Sequence, residues 1–129
     1  MLFRSVAQPT LRHRRILVVE DEYLIADDMQ QSLEEVGAIV LGPVPTIEQA
    51  LELLGGDPHV DGAVLDINLN GEKVFPVADA LATRGIRFLF ATGYDAADIP
   101  SQYRQITRCE KPVNVAAIAR ALDSATDAT

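Results

Sequence analysis

Five residues of this chain could do chemistry together: Glu20, Asp21, Asp66, Thr92 and Lys111. Four of them stand at or just past the end of a short apolar run, and Lys111 follows a mixed, edge-like stretch. Ile16-Leu17-Val18-Val19 leads into the triplet Glu20-Asp21-Glu22, and Ala63-Val64-Leu65 into Asp66. Phe88-Leu89-Phe90-Ala91 leads into Thr92, and Ile106-Thr107-Arg108-Cys109 into Glu110-Lys111-Pro112. Crowded carboxylates repel one another and, when ionised, require a cation. Oxygen-only ligands suit Mg2+, which keeps several waters and uses few carboxylates. Asp21 and Asp66 fit the role of direct ligands and Glu20 a ligand through water, with the backbone carbonyl of Asn68 filling another position. A carboxylate is also a nucleophile toward phosphorus, giving an aspartyl phosphate. The Lys111 ammonium and the Thr92 hydroxyl could then donate to phosphoryl oxygens. Taken singly, each residue has an ordinary structural use: acids favour a helix N-terminus, and Asp66, Asn68, Thr92 and Lys111-Pro112 suit turns. Their recurrence at the ends of apolar runs makes coincidence a poor explanation.

These positions require elements that bring them together. Continuous apolar runs bounded by turn residues read as strands buried on both faces, the parallel-sheet kind. Ile16–Val19, Ala38–Leu41, Ala63–Leu65 and Phe88–Ala91 are four such runs, and the mixed stretch Ile106–Cys109 reads as a fifth, edge-like strand. Gly42, Pro43 and Pro45 close the second, which suits a sheet edge. Helical spacing separates them. Ile25, Met29, Leu33 and Val36 make one inner stripe, ended by Gly37. Ile47, Ala50, Leu51 and Leu54 make a second behind a Thr46 cap, and Val74, Val77, Ala78 and Leu81 a third, with Pro76 in its first turn. Asp95 to Gln105 has little periodicity and predicts a short or mobile fourth helix. Val115, Ile118, Ala119 and Leu122 form the last stripe, capped by Asn114. This alternation implies an α/β fold, a doubly wound five-stranded parallel sheet with right-handed crossovers. Strand order 2-1-3-4-5, the flavodoxin-like three-layer arrangement, gathers Glu20, Asp21, Asp66, Thr92 and Lys111 at one carboxyl edge.

Composition narrows the function. At 129 residues the chain makes one domain with its own core. No apolar run reaches membrane-spanning length, and the first ten residues lack the apolar stretch of a secretory signal. The single cysteine, Cys109, excludes an internal disulfide and fits a reducing, cytoplasmic location. Arg4, Arg12, Arg14 and Arg15 precede the first strand, whereas from Ile16 onward seven basic residues face nineteen acidic ones. That balance argues against nucleic-acid binding by the domain. Residues 1–13 read as a flexible basic tail, and residues 127–129 as a frayed end.

From about Arg15 to Leu122 the sequence resembles the receiver domain of two-component response regulators. The matching stretches are Ile16-Leu17-Val18-Val19-Glu20-Asp21-Glu22, Val64-Leu65-Asp66-Ile67-Asn68-Leu69, Ala91-Thr92-Gly93 and Glu110-Lys111-Pro112. The resemblance implies a receiver domain over residues 14–126. Asp66 would be the phosphoacceptor, Glu20 and Asp21 the acidic pair serving Mg2+, Thr92 the switch hydroxyl and Lys111 the phosphate-contacting lysine. It further implies a cis Lys111–Pro112 bond. Many receivers place a switch aromatic three residues before the lysine, where this chain has Arg108. Phe90-Ala91-Thr92-Gly93-Tyr94 is similar instead to the "FAT GUY" class, seen largely in alphaproteobacteria, in which the aromatic follows the threonine motif as Tyr94 does.

The implied function is that of a single-domain bacterial response regulator. It would take a phosphoryl group from a sensor histidine kinase or a histidine phosphotransfer protein and would act through a downstream protein or pass the phosphate along a relay. It would be a phosphoacceptor rather than an enzyme, with no nucleic acid or membrane partner. Two alternatives stay open. Haloacid-dehalogenase-like phosphatases combine similar residues but need an acid two positions after the nucleophile, where Asn68 stands. A receiver-type binding module could also switch without phosphate.

Overall fold

Arg15–Val19 forms β1, whose last four residues are buried, as the uninterrupted apolar run requires of a strand covered on both faces. The computed structural model describes residues 10–93 and 99–124, the last by its backbone. The chain continues through α1 (Tyr23–Glu35), β2 (Ile39–Val44), α2 (Ile47–Gly55), β3 (Gly62–Asp66), the short strands β4 (Asn68–Leu69) and β5 (Glu72–Lys73), and α3 (Phe75–Thr83). Then come β6 (Phe88–Thr92), a 3-10 turn (Ser101–Tyr103), β7 (Arg108–Glu110) and α4 (Val115–Ser124). The main sheet has five parallel strands in the order β2-β1-β3-β6-β7. Counting these strands alone, this is the expected order 2-1-3-4-5. Helices α2 and α3 pack on one face of the sheet and α1 and α4 on the other, giving three layers.

Side-chain alternation along the strands divides the core in two. Leu17, Val19, Ala63, Leu65 and Phe90 face α2 and α3, meeting Ala50, Leu54, Val77 and Leu81. Ile16, Val18, Val64 and Leu89 face α1 and α4, meeting Met29, Leu33, Ile118 and Leu122. Gly62 lets α4 close onto β3: a Cβ there would stand 2.7 Å from Leu122 Cδ1. Thr46 caps α2 by accepting from Gln49 N at 3.0 Å, and Asn114 Oδ1 accepts from Ala117 N at 2.7 Å. Both caps and the inner stripe of α3 stand where spacing placed them.

Other elements differ from expectation. Val36 is exposed, because it lies at the cap beyond the last turn of α1, and Ala26 is buried instead. Strand β2 runs through Gly42 and Pro43 to Val44. An edge strand tolerates a proline that cannot donate to the ladder, and the register with β1 shifts there. The fifth sheet strand starts at Arg108 rather than Ile106, because Ile106 N bonds Tyr103 O and closes the 3-10 turn. Asn70-Gly71, read as a turn signal, is the tip of a two-residue hairpin with φ of 53° and 93°, the combination an Asn-Gly turn favours. Leu11, inside the expected tail, is 3% exposed and packs with the α1 and α4 side of the core. Within Asp95–Gln105 the described part holds the 3-10 turn; Asp95–Asp98 lie outside the described residues. No described helix is long and apolar enough to cross a membrane.

Candidate functional site

The carboxyl ends of β1, β3 and β6 deliver Glu20, Asp21, Asp66 and Thr92 to one place because the strands are parallel and in register. Val19 pairs with Leu65, and Asp66 with Ala91. Lys111 follows β7, and its backbone N donates to Thr92 O at 2.9 Å, which holds the loop against β6. The peptide bond after it, Lys111–Pro112, is cis. A cavity of about 440 Å³ opens over these ends, with Asp21, Asp66, Asn68, Thr92 and Lys111 in its lining. Glu20 lies beneath, 3% exposed.

Three carboxylates meet in this space, with oxygen atoms of Glu20, Asp21 and Asp66 all within 4.8 Å of one another. Lys111 Nζ bridges two of them, 2.9 Å from Glu20 Oε1 and 3.0 Å from Asp66 Oδ2. Glu20 Oε2 accepts from Glu22 N at 3.0 Å. Buried Glu20 Oε1 has the ammonium beside it but no well-directed hydrogen bond. Asp66 Oδ1 accepts from Asn68 N at 3.2 Å.

The electrostatics follow from this crowding. Burial, and then the charge of Glu20, push the Asp66 carboxyl from 3.8 up to about 7, against the opposing pull of Lys111. For Lys111, burial acts to lower its affinity for a proton, but the carboxylates of Glu20 and Asp66 outweigh it and hold the ammonium above its ordinary range. One ammonium therefore faces a cluster with more negative charge than it can balance. A hard cation with oxygen ligands fits that deficit: the donor set is all oxygen, and Glu20 Oε1 is a buried acceptor without a directed donor. Asp21 and Asp66 line the cavity where such an ion would sit.

Asn68 does two things through different atoms. Its backbone N holds Asp66, while its side-chain Oδ1 accepts from Gly71 N at 3.1 Å and stiffens the hairpin tip. That tip forms part of the cavity wall, as do Ile25, Ile67 and Gly93. Of these, the Asn-Gly pair carried a readable signal; the others enter through the path of the backbone. Arg108 is not part of the cavity lining: it is exposed on β7, paired in register with Phe90. Tyr94 lies outside the described residues.

Several solved structures share this fold. The structure is similar to the solution structure of SdrG from Sphingomonas melonis Fr1, at 41% identity over 87% of this chain and 95% of that one, with a TM-score of 0.75. It is also similar to the BeF3-activated conformation of SdrG from Pseudomonas melonis Fr1, at 39% identity over 86% and 94% of the two chains, TM-score 0.70. A response regulator receiver protein from Sinorhizobium medicae WSM419 shares the fold at 22% identity, covering 92% of this chain and 98% of that one, TM-score 0.74. No family model matches the chain, and no curated protein matches it.

Proposed function

Because the chain belongs to the receiver-domain family of response regulators, we propose that Asp66 is its phosphoacceptor and that phosphorylation switches a protein-binding surface. The observation that carries the reading is the convergence of Asp66 with Glu20, Asp21, Thr92 and Lys111 at one end of the sheet. A carboxylate oxygen of Asp66 attacks the phosphorus of a phosphohistidine on a sensor kinase or phosphotransfer protein. The P–N bond breaks, its electron pair returns to the imidazole, and the ring takes up a proton. Asp66 becomes an acyl phosphate.

The surrounding side chains have separable tasks in this step. Lys111, already 3.0 Å from Asp66 Oδ2, is placed to pair with a phosphoryl oxygen. The Thr92 hydroxyl, at the end of β6 in the same cavity, is placed to donate to another. Asp21, Asp66 and Glu20 would hold Mg2+, with the Asn68 carbonyl as a further ligand. When bound, Mg2+ supplies positive charge that favours ionised Asp66 and neutralises phosphoryl oxygens. Asn68 N keeps the Asp66 carboxylate oriented.

The new charge would draw Thr92 inward, and Gly93 and Tyr94 follow directly in sequence. In this reading Tyr94, not Arg108, is the aromatic switch, as in the "FAT GUY" class. The chain would work as a cytoplasmic response-regulator receiver, with a histidine kinase or phosphotransfer protein upstream and a protein partner downstream. A haloacid-dehalogenase-like phosphatase is disfavoured, since Asn68 is no acid and its side chain serves the hairpin. A phosphate-independent module is disfavoured by the completeness of the pocket. Heteronuclear NMR with Mg2+ and beryllofluoride tests the reading. Amide shifts at Asp66, Thr92 and Lys111 that spread toward residues 99–108 are expected; an unchanged spectrum would overturn it.

A further inference from the structure

The charges of this domain are segregated along the sheet. Between Ile16 and Thr83 the chain carries fourteen acidic residues and one base, Lys73. Between Arg84 and Arg120 it carries six basic residues and three acids. Arg104, Arg108 and Lys111 of the second set lie in or beside β7, the last strand of the sheet. Arg104, Arg108 and Arg120 are all exposed, and no described carboxylate lies within ion-pair distance of any of them. Arg14 and Arg84, by contrast, pair with Asp123 and Asp57.

Their placement about the edge has a pattern. Arg108 pairs in register with Phe90, whose ring faces the α3 side of the sheet and meets Tyr103 at 6.0 Å. Arg108 therefore projects on that same side, where Arg104 follows the 3-10 turn. Cys109 projects to the opposite side, packing with the α4 half of the core, and Arg120 of α4 lies near enough to act electrostatically on its thiol. The arginines thus straddle an edge strand that has no partner on its outer side among the described residues. An unpaired edge is a template for an added strand, and successive side chains of an added strand point to opposite faces.

We propose that the β7 edge binds an extended acidic segment of a partner protein, with carboxylates at successive positions reaching Arg108 and Arg104 on one face and Arg120 on the other. Glu110 shares the Arg108 face, so the segment carries a basic or uncharged residue opposite it. A nucleic acid is the poorer occupant, because the chain's net charge of −8 repels a continuous phosphate backbone while three local arginines match only a short run of carboxylates. The inference goes beyond the phosphoacceptor reading and does not depend on it.

The test is fluorescence anisotropy on the unphosphorylated full chain. The probe is a labelled eight-residue peptide alternating Asp and Glu with Thr and Val; a lysine version and a short DNA duplex serve as comparisons. Salt-sensitive binding of the acidic peptide is expected, weakened about tenfold in Arg104→Gln/Arg108→Gln/Arg120→Gln, as three exposed ion pairs allow. The variant Arg12→Gln/Arg14→Gln/Arg84→Gln, with the same loss of charge elsewhere, should bind as the wild type does. No binding by the wild type, equal weakening by both variants, or equal binding of the duplex would each overturn the proposal. Salt-sensitive self-association in sedimentation, lost in the first variant, would make the occupant a second copy and overturn the partner assignment. Failure here leaves the assignment of Asp66 intact, since the titration involves no phosphate.

Discussion

Asp66 holds a proton more tightly in the folded chain than a free aspartate does, and this sets a sign for its effect on stability. Its carboxyl titrates at about 7 against an ordinary 3.8, chiefly because it is buried. The folded state therefore favours the neutral form. That contribution is complete below about pH 4 and is lost as pH rises through about 7. Asp66→Asn, neutral throughout, should be more stable than the wild type in metal-free buffer, by a margin that widens from about pH 4 to pH 7 and then levels. Urea unfolding at a series of pH values reads this directly, and added Mg2+ should narrow the margin. Lys111→Met should act the other way. It leaves Glu20 and Asp66 buried without their ammonium, costing about 3 kcal/mol, part of which Mg2+ restores. Denaturant midpoints with and without Mg2+ check it. Glu20, Asp21, Asp66 and Thr92 were legible in sequence because they follow apolar runs, and Lys111 because it follows a short edge-like strand. The lysine bridge to Glu20 and the turn of the Asn68 side chain toward Gly71 were not, because side-chain direction leaves no trace in residue order.

Among the elements, the described part of the segment between β6 and β7, residues 99–107, holds a 3-10 turn, and one side chain anchors it. Tyr103 is buried among Phe75, Phe88 and Phe90, and its hydroxyl donates to Asp79 of α3. Burial, followed by that bond, raises the Tyr103 hydroxyl above its ordinary range. Tyr103→Phe keeps the ring packing and removes the hydroxyl, so it should cost about 1 kcal/mol in denaturant unfolding. Gly62→Ala should cost about 1–3 kcal/mol by pushing Leu122 off β3. Combined with Leu122→Ala, which opens space at that contact, it should cost less than the sum of the single changes in the same measurement. The sequence showed where helix α3 turns its apolar face, since its periodicity is unbroken; on α2 the expected stripe holds for Ala50 and Leu54, but Leu51 is exposed. It misplaced Val36 and the start of β7, where a cap and a 3-10 turn decide the outcome rather than periodicity.

At the scale of the molecule, strand order was legible from the alternation of strands and helices, because right-handed crossovers leave few topologies. Leu11 was not: one apolar residue among arginines shows no period, yet it closes the core beside α1 and α4. Leu11→Ala should therefore destabilise the whole domain by about 2–4 kcal/mol in urea unfolding, as a core truncation does. Topology also explains why residues as distant as Asp21 and Lys111 line one cavity, whose chemistry can be tested directly. The most direct measurement is to treat the protein with phosphoramidate and Mg2+, reduce with borohydride, and map the peptide that gains homoserine in place of aspartate. Conversion at Asp66 in the wild type, and none in Asp66→Asn, is the expected result; conversion at another carboxylate with Asp66 untouched would contradict the account.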